Sequence, residues 1–578
     1  MAWINTELGN RFAEIATLLR LDGADTFRVR AYERGAAAIA SAPVDLGQLD
    51  ADGLTDVRGI GDSTAAKILE YRETGRIGML EDLRERVPPA MVELTRVPGL
   101  GPKMALRLHD ELGVGTLEEL REAIERGDVA AMKGAGEKTA EKLRAGLDRL
   151  GAKDTDRTPA ADVLGTAEEL CARLREVEGV HAVEYAGSLR RMRETVGDVD
   201  VLVAADDPER VTAALRDDSD LVGRVVASGE AKTSVIVRGS GLQVDLRVVR
   251  PDVWGAALIY FTGSAAHNVR LRERAIGRGL SLSEYGLLRD DDEEPATDAT
   301  TEERVYEALG LVFVPAPMRE DAGEIEAAAQ GRLPHVVTEA DVRGDLHGHS
   351  DFSGDGKASL EAMVAAAAAR GWEYWAVTDH GEDLTINGVS REDLLRRRRM
   401  LADLEDRYEI TLLDGLELNI DIDGGVDYDD EFLASFDFCV ASVHSLLQRG
   451  EADQTRRIRT AMRNPSVHAI GHPTGRKIGQ RPGYEIDLDA VLETAVETGT
   501  ALEINAHPRR LDLGADMVRR AVDAGVMLTI STDAHRVAEL DHLTYGVATA
   551  QRGWATAERV LNCRDLPGLR DFVEAKRG

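Results

Sequence analysis

Cysteine is nearly absent. The 578 residues include three, Cys171, Cys439 and Cys563, far apart and without CxxC spacing, so neither a disulfide framework nor a thiolate zinc site is expected, and a reducing compartment fits. Long hydrophobic runs are missing too. The N-terminal MAWINTELGNRF has no basic start followed by an apolar stretch, and the alanine-rich stretch from Ala362 to Ala369 is far too short to span a bilayer. From these absences neither a secretory leader nor a membrane span is expected, and the expectation is a soluble, cytoplasmic protein with no membrane partner. Positive charge is also scarce, with 71 Lys and Arg against 104 Asp and Glu and a net charge of -33. Over the whole chain this argues against nucleic acid, because phosphate binding needs Lys and Arg to displace counterions. Local distribution reverses the argument. Basic residues gather at Arg28, Arg30 and Arg34, at Lys103 and Arg107, at Arg190, Arg191 and Arg193, and at Arg270, Arg272 and Arg274, while acids crowd elsewhere, as from Asp290 to Glu294. The acidic excess reads as a solvated surface.

The length is too great for one core and, at about 150 residues per domain, predicts three or four. Residues 1–150 read as helices joined by short glycine turns, and the loop-like GAKDTDRTPAAD from Gly151 to Asp162 closes the segment. A pattern recurs within it: VRGIGDSTAAKI from Val57, VPGLGPKMALRL from Val97 and, more loosely, MKGAGEKTAEKL from Met132. In the first two copies Gly59 and Gly61, and Gly99 and Gly101 with Lys103 following, open a helix. Paired glycines let the backbone turn sharply and present consecutive N–H groups at a helix N-terminus, a ready anion site. One such turn is an ordinary connector. Three spaced copies with basic residues following suggest repeated grips on a sugar-phosphate backbone, and they resemble helix-hairpin-helix motifs, which bind duplex backbone without reading sequence.

From about residue 160 the texture changes to alternating strands and helices. VEYAGSLRRMRETVGDVDVLVAA, from Val183 to Ala205, sets a Gly-Ser turn and a basic cluster before an apolar strand with Asp198 and Asp200, and LQVDLRVV brings Asp245. Residues two apart on a strand share a face, so Asp198 and Asp200 are expected to project together. Three converging carboxylates are costly unless cations neutralise them, an arrangement suited to two magnesium ions in phosphoryl transfer. As an isolated D-x-D the pair would read as strand-end turn residues.

The surroundings decide between these. GSLRR at Gly187 to Arg191 followed by GDVD at Gly197 to Asp200 resembles the nucleotidyltransferase signature, and the segment resembles the palm of family X DNA polymerases such as DNA polymerase beta. YFTGSAAHNVRLRERA from Tyr260 to Ala275 resembles that family's thumb, and SEYGL from Ser283 continues it. The resemblance implies that Asp198, Asp200 and Asp245 hold the metals, with Asp245 assisting deprotonation of the primer 3' hydroxyl. It implies that Gly187, Ser188, Arg191 and Gly197 hold the triphosphate, as a hydroxyl, a guanidinium and a backbone N–H can. Tyr260 and Phe261 would crowd the sugar 2' position, Asn268 would contact the incoming base, and Arg272 would touch the template. Ala265 departs from the family, where a longer polar side chain is usual, and puts nucleotide affinity without metal in doubt. Lys67 falls where the beta-type enzyme carries its lyase lysine, but Ser63 and Arg28 replace supporting lysines. A solvated helix lysine near DNA is the preferred reading, and Schiff-base chemistry the second.

From about residue 340 a strand, loop and helix pattern repeats about seven times, with apolar runs ending in polar residues: RGDLHGHS, YWAVTDH, TLLDGLELN, FDFCVASVHS, VHAIGHP, ALEINAH and VMLTISTDAH. Parallel strands with crossover helices follow, and chemistry in such barrels sits at the C-terminal strand ends. His347, His349, Asp355, His380, Glu417, His444, His472, Asp533 and His535 occupy those ends. Any one alone reads as a polar cap; nine together suit zinc, manganese or iron. The order resembles the polymerase and histidinol phosphatase (PHP) domain at all nine positions. That resemblance implies one ion on His347, His349, Glu417 and Asp533, a second on His444 and His472 bridged by Glu417, and a third on Asp355, His380 and His535. Asn505 and His507 match no ligand position and are expected to support the site.

The expected architecture is therefore an all-α helix-hairpin-helix region (1–150), an α/β nucleotidyltransferase palm (160–260), a thumb (261–325), a linker (326–340) and a distorted (β/α)7 barrel (341–578). The expected activity is template-directed nucleotidyl transfer to a primer 3' hydroxyl at short gaps in DNA repair. A manganese- or zinc-dependent 3'-5' exonuclease or abasic-site endonuclease would reside in the barrel. Gapped or primer-template DNA and deoxynucleoside triphosphates would be the partners of a monomer. Two alternatives compete: the barrel is a structural or pyrophosphate-hydrolysing module, or the whole chain is a DNA-binding scaffold. The intact ligand sets speak against both.

Overall fold

The computed structural model describes the chain apart from residues 1–4, 23, 25, 41–45, 58, 88–93, 95–99, 101, 133–134, 137–138, 141–142, 145–156, 290–294 and 385. It forms two compact units, Met1–Arg157 and Thr158–Gly578. In the first unit, helix Asn5–Leu21 carries Leu8, Phe12, Ile15 and Leu19 at helical spacing, and all four are buried in one core with Ile39, Ile68, Leu80, Leu108 and Leu120 from later helices. Gly59 stands in the left-handed region at φ 94°, and a Cβ there would meet the Ala38 side chain at 2.8 Å. Only glycine serves both demands. Two residues later Gly61 leads into helix Asp62–Thr74.

The second unit begins with strand β1 (Thr158–Pro159) and helix Ala160–Arg175, then β2 (Val180–Tyr185), β3 (Thr195–Val196) and β4 (Val199–Ala205). After helix Pro208–Arg216 come β5 (Val222–Ser228), β6 (Lys232–Val237) and β7 (Gln243–Val249). The palm sheet has the order β2-β4-β7-β6-β5, with β4 and β7 parallel at its centre. Alternation sorts its two faces. Val199, Val201 and Val203 of β4 and Val244, Leu246 and Val248 of β7 pack with the two helices just named, whereas Leu202 packs with Ala257 and Leu258 of helix Trp254–Thr262. Asp200 and Asp245 share the parity of Leu202.

After that helix the thumb contains helix Ala265–Ile276, the hairpin β8 (Leu280–Ser283) and β9 (Gly286–Arg289), and helix Glu302–Ala308. Its core includes Leu271, Val305, Tyr306 and Leu309, joined by Trp554 from the chain's end. The stretch 326–340 is not a bare linker: Ala328 enters the thumb core and Val337 the barrel core.

The barrel is a seven-stranded parallel sheet in chain order: β10 (Gly344–Gly348), β11 (Tyr374–Val377), β12 (Thr411–Asn419), β13 (Phe438–Ser442), β14 (Ala469–Ile470), β15 (Ala501–Asn505) and β16 (Leu528–Ser531). Backbone bonds from His349 N to Ala534 O (2.8 Å) and from Asp533 N to His347 O (2.9 Å) join its first and last members. This is the distorted (β/α)7 barrel expected. Within this unit, salt bridges Arg476–Glu194 (2.7 Å) and Arg509–Asp162 (2.8 Å) link barrel loops to the palm. Cys171 and Cys439 are buried and Cys563 half-buried, all as free thiols. Among the described residues no helix is long and apolar enough to cross a membrane.

Candidate functional site

The palm register puts Asp200 directly opposite Asp245 on neighbouring parallel strands. Asp198 and Asp200 were expected to share a strand face, but Asp198 lies in the loop one residue before β4 and is exposed, and the residue that shares the face of Asp200 is Asp245 on the neighbouring strand. Burial and the adjacent charges of Asp198 and Asp245 push the Asp200 carboxyl up to about 6. Uncompensated negative charge of this kind is what divalent cations offset. Asp245 accepts from Ser234 Oγ and from Gln243 Nε2 (3.0 Å), which fixes its orientation. The Gly187 turn closes over the pair: Gly187 has φ 62°, and a Cβ on it would lie 2.4 Å from Asp200 Oδ2. The glycine is required by the aspartate.

Arg191 leaves that turn and is held by Glu320 (3.0 Å) and the Thr262 carbonyl, and Glu320 also pairs with Arg552 (3.1 Å) of the barrel. Its neighbour Arg190 donates twice to buried Glu302 (2.9 and 2.8 Å), which pairs with fully buried Arg319 (2.6 Å). Tyr260 and Phe261 meet edge to face at 5.1 Å, and Asn268 donates to the Tyr260 carbonyl (2.7 Å). Ser188 is half-buried in the turn, and Gly197 and Arg272 are exposed. In the first unit Lys67 donates to Ser63 Oγ (3.0 Å) and lies 5.7 Å from the Tyr32 ring. Gly99, Gly101 and the Lys103 side chain lie outside the described residues.

In the barrel the candidate ligands stand at or a few residues beyond the C-terminal ends of strands, with Asp355 further along the loop after β10, and five imidazoles surround Glu417. Glu417 Oε1 lies 3.1 Å from Nε2 of both His444 and His472; Oε2 lies 3.4 Å from His347 Nε2, 3.5 Å from His349 Nε2 and 2.9 Å from His380 Nδ1. Asp533 Oδ1 is 3.2 Å from His349 Nε2, and Asp355 Oδ2 is 3.3 Å from His380 and 3.5 Å from His535. Ligand atoms gather within 4.8 Å in three overlapping groups: His347, His349 and Asp533; His349, His380 and His535; and His380, Glu417 and His444. His349 and His380 each belong to two groups, so the geometry links the ion positions more closely than three separate sets would. The palm aspartates form no group this tight.

The donor set fits a metal cluster. His347 Nε2, His349 Nε2 and His380 Nδ1 are buried without a hydrogen bond although each faces the same carboxylate, an arrangement a cation completes. Burial alone would raise the Glu417 carboxyl, but His444, His347 and His380 hold it well below the usual range. Burial and neighbouring His535 and His380 push His349 down to about 4, leaving a neutral donor. His472 at φ 29° and Asp533 at φ 52° hold left-handed backbone that non-glycine residues rarely adopt.

Sequence reasoning expected Asn505 to support the site but missed Glu503 and Asp379. Glu503 accepts from His347 Nδ1 (2.6 Å), the His472 N–H (2.7 Å) and Asn505 Nδ2 (3.0 Å), and Asn505 also donates to Asp533 (3.1 Å). Its signal was its place two residues before Asn505 on one strand. Asp379 accepts from Ser350, Ser353 and buried Arg397, fixing the loop that carries His380.

Profiles of known families match the chain in four places. They are a helix-hairpin-helix domain over residues 4–77, a SAM-like helix-hairpin-helix tandem over 91–149, the DNA polymerase beta thumb over 257–320 and the PHP domain over 345–507. A Bacillus subtilis (strain 168) protein described as DNA polymerase/3'-5' exonuclease PolX is 38% identical over 563 residues, 97% of this chain and 97% of that relative. Two proteins described as probable phosphatases, from Acetivibrio thermocellus and Caldicellulosiruptor saccharolyticus, are 29% and 31% identical over 33% of this chain, covering 78% and 79% of their own lengths.

Proposed function

Because this chain belongs to the family X DNA polymerases that end in a PHP domain, we propose that it fills short gaps in DNA repair and removes nucleotides from 3' ends with a second, separate site. Residues 1–150 grip DNA, the palm (160–260) and thumb (261–325) build the polymerase site, and the barrel (341–578) is the nuclease. The observation that carries this reading is the difference in donor type between two constellations in one chain. Asp198, Asp200 and Asp245 offer only oxygen, whereas six of the nine barrel ligands are imidazoles. Oxygen ligands suit two magnesium ions, and imidazoles suit up to three manganese or zinc ions. When bound, the cations supply Lewis acidity at both centres and offset charge on the phosphate being attacked.

The chain's own residues do the positioning. Ser188, Arg191 and the Gly197 N–H orient a triphosphate beside Asp200, and Asp245, already oriented by Ser234 and Gln243, is the base nearest a primer 3' hydroxyl. Tyr260 and Phe261 wall off the sugar 2' position. The base contact given to Asn268 requires its bond to the Tyr260 carbonyl to open. Glu417 holds the barrel imidazoles in one constellation, and Glu503 sets the ring orientation of His347. Gly59, Gly61 and Arg272 contact DNA, with Gly99, Gly101 and Lys103 in the same role by motif. Lys67 serves DNA contact ahead of lyase chemistry. The partners are gapped or primer-template DNA and deoxynucleoside triphosphates in the cytoplasm, with one chain as the working unit. The test is to incubate the purified protein with gapped and 3'-recessed DNA, with and without nucleotides, in magnesium and then in manganese. Extension in magnesium with nucleotides and trimming in manganese without them are expected; no extension of either substrate refutes the polymerase, and no trimming in any metal refutes the nuclease.

A further inference from the structure

A cavity of about 420 Å3 opens directly onto Asp355, Asp533 and His535 of the barrel cluster, and its far wall is basic. Two loops build that wall and are bonded to each other: Ile478 N donates to Arg509 O (2.7 Å) and Arg476 Nε to Arg510 O (2.8 Å). Lys477 and Arg510 are thereby presented together. A third cation, Lys357, also lines the cavity, its backbone N–H bonded to the His535 carbonyl (2.7 Å).

The charges of the wall are unequally satisfied. Arg509 pairs with Asp162 (2.8 Å) and Arg536 with Glu539 (2.9 Å), so both are spent on structure. Arg510 reaches only the edge of Asp533, at 3.5 Å. Among the described residues, Lys357 and Lys477 make no ion pair. Lys477 is half-buried, and burial with neighbouring Arg510 and Arg481 pulls its ammonium below the ordinary lysine value, a cost that a bound anion would relieve.

We propose that Lys477, with Arg510 and Lys357, forms a subsite for the backbone phosphate of the retained strand next to the bond being cut. This rests on the nuclease reading above. A strand whose scissile phosphate lies on the cluster must run its next phosphate past the cluster's rim, where Lys477 and Lys357 stand without an ion pair among the described residues beside Arg510. Contact to a phosphate makes the subsite indifferent to base identity. It makes the enzyme prefer a polynucleotide end over an isolated phosphodiester.

The test compares two substrates of the full-length protein in manganese: a single-stranded oligothymidylate, and thymidine 5'-(p-nitrophenyl phosphate), which carries one phosphate only. For Lys477→Gln the ratio of kcat/KM on the first to kcat/KM on the second falls at least fivefold, mostly through KM, and further for the Lys357→Gln/Lys477→Gln pair. Lys477→Arg recovers most of it. The dependence of log KM on log salt loses about 0.7 in slope per phosphate contact removed. An unchanged ratio, or a parallel loss on both substrates, overturns the subsite while leaving the nuclease reading intact. A wild-type protein that cleaves neither substrate overturns the nuclease reading and this inference with it.

Discussion

Replacing Glu302 by Gln should loosen the junction between the Gly187 turn and the thumb by about 3 kcal/mol. Glu302 is 5% exposed and receives Arg190 twice, at 2.9 and 2.8 Å, and Arg319 at 2.6 Å. Burial would raise its carboxyl, but Arg319 and Arg190 pull it down to about 2 from an ordinary 4.5. That gap, at about 1.4 kcal/mol per pH unit, corresponds to about 3 kcal/mol. Breaking a buried pair by removing one partner costs about 3–5 kcal/mol, the same order, because Arg319 is left fully buried and uncompensated. The sign follows from the direction. A depressed folded-state value gives stability that is complete above the ordinary 4.5 and is lost as pH falls toward 2. The difference between wild type and variant is therefore constant from pH 7 to 6 and narrows by about 2 kcal/mol at pH 3. Hydrogen exchange of amides in helices Trp254–Thr262 and Glu302–Ala308 reads this locally, which matters in a chain of several domains that does not unfold in one step. A difference under about 1 kcal/mol at pH 7, or one that widens in acid, refutes the reasoning.

Glu503→Gln keeps the fold but weakens the support of His347, and nuclease activity should fall about 10–100-fold with lower manganese content. Unchanged metal content and trimming would contradict that role. DNA binding should prefer short gaps and weaken steeply with salt, since the contacts proposed are to phosphates; affinity that varied more between gap sequences than between salt concentrations would count against it.

Much of this was legible because chemistry and periodicity coincide. Six of the seven apolar runs of the barrel are followed or ended by candidate ligands, the run ALEIN being the exception, so runs and candidates could be read in order. The palm was readable for the same reason, although Asp198 falls before β4. Charge alone does not show what burial decides. Arg397, within the RRRR of helix Arg391–Glu405, looks like a solvated run yet is fully buried, bonded to Asp379 (2.9 Å) and Asp414 (2.7 Å). Pairings between distant segments leave no local pattern at all. Glu320 with Arg191 and Arg552, and Arg476 with Glu194, join residues far apart in the chain, and nothing in their neighbourhoods marks them as partners.

The separation of the two activities is tested most directly by crossing two variants with two metals. Asp200→Ala removes a palm carboxylate paired in register with Asp245, and Glu417→Ala removes the carboxylate within 3.5 Å of five barrel imidazoles. On a 3'-recessed duplex, Asp200→Ala should lose magnesium-supported extension and keep manganese-supported trimming, and Glu417→Ala should do the reverse. Trimming that survives in Glu417→Ala but vanishes in Asp200→Ala would put the nuclease in the palm and contradict the account.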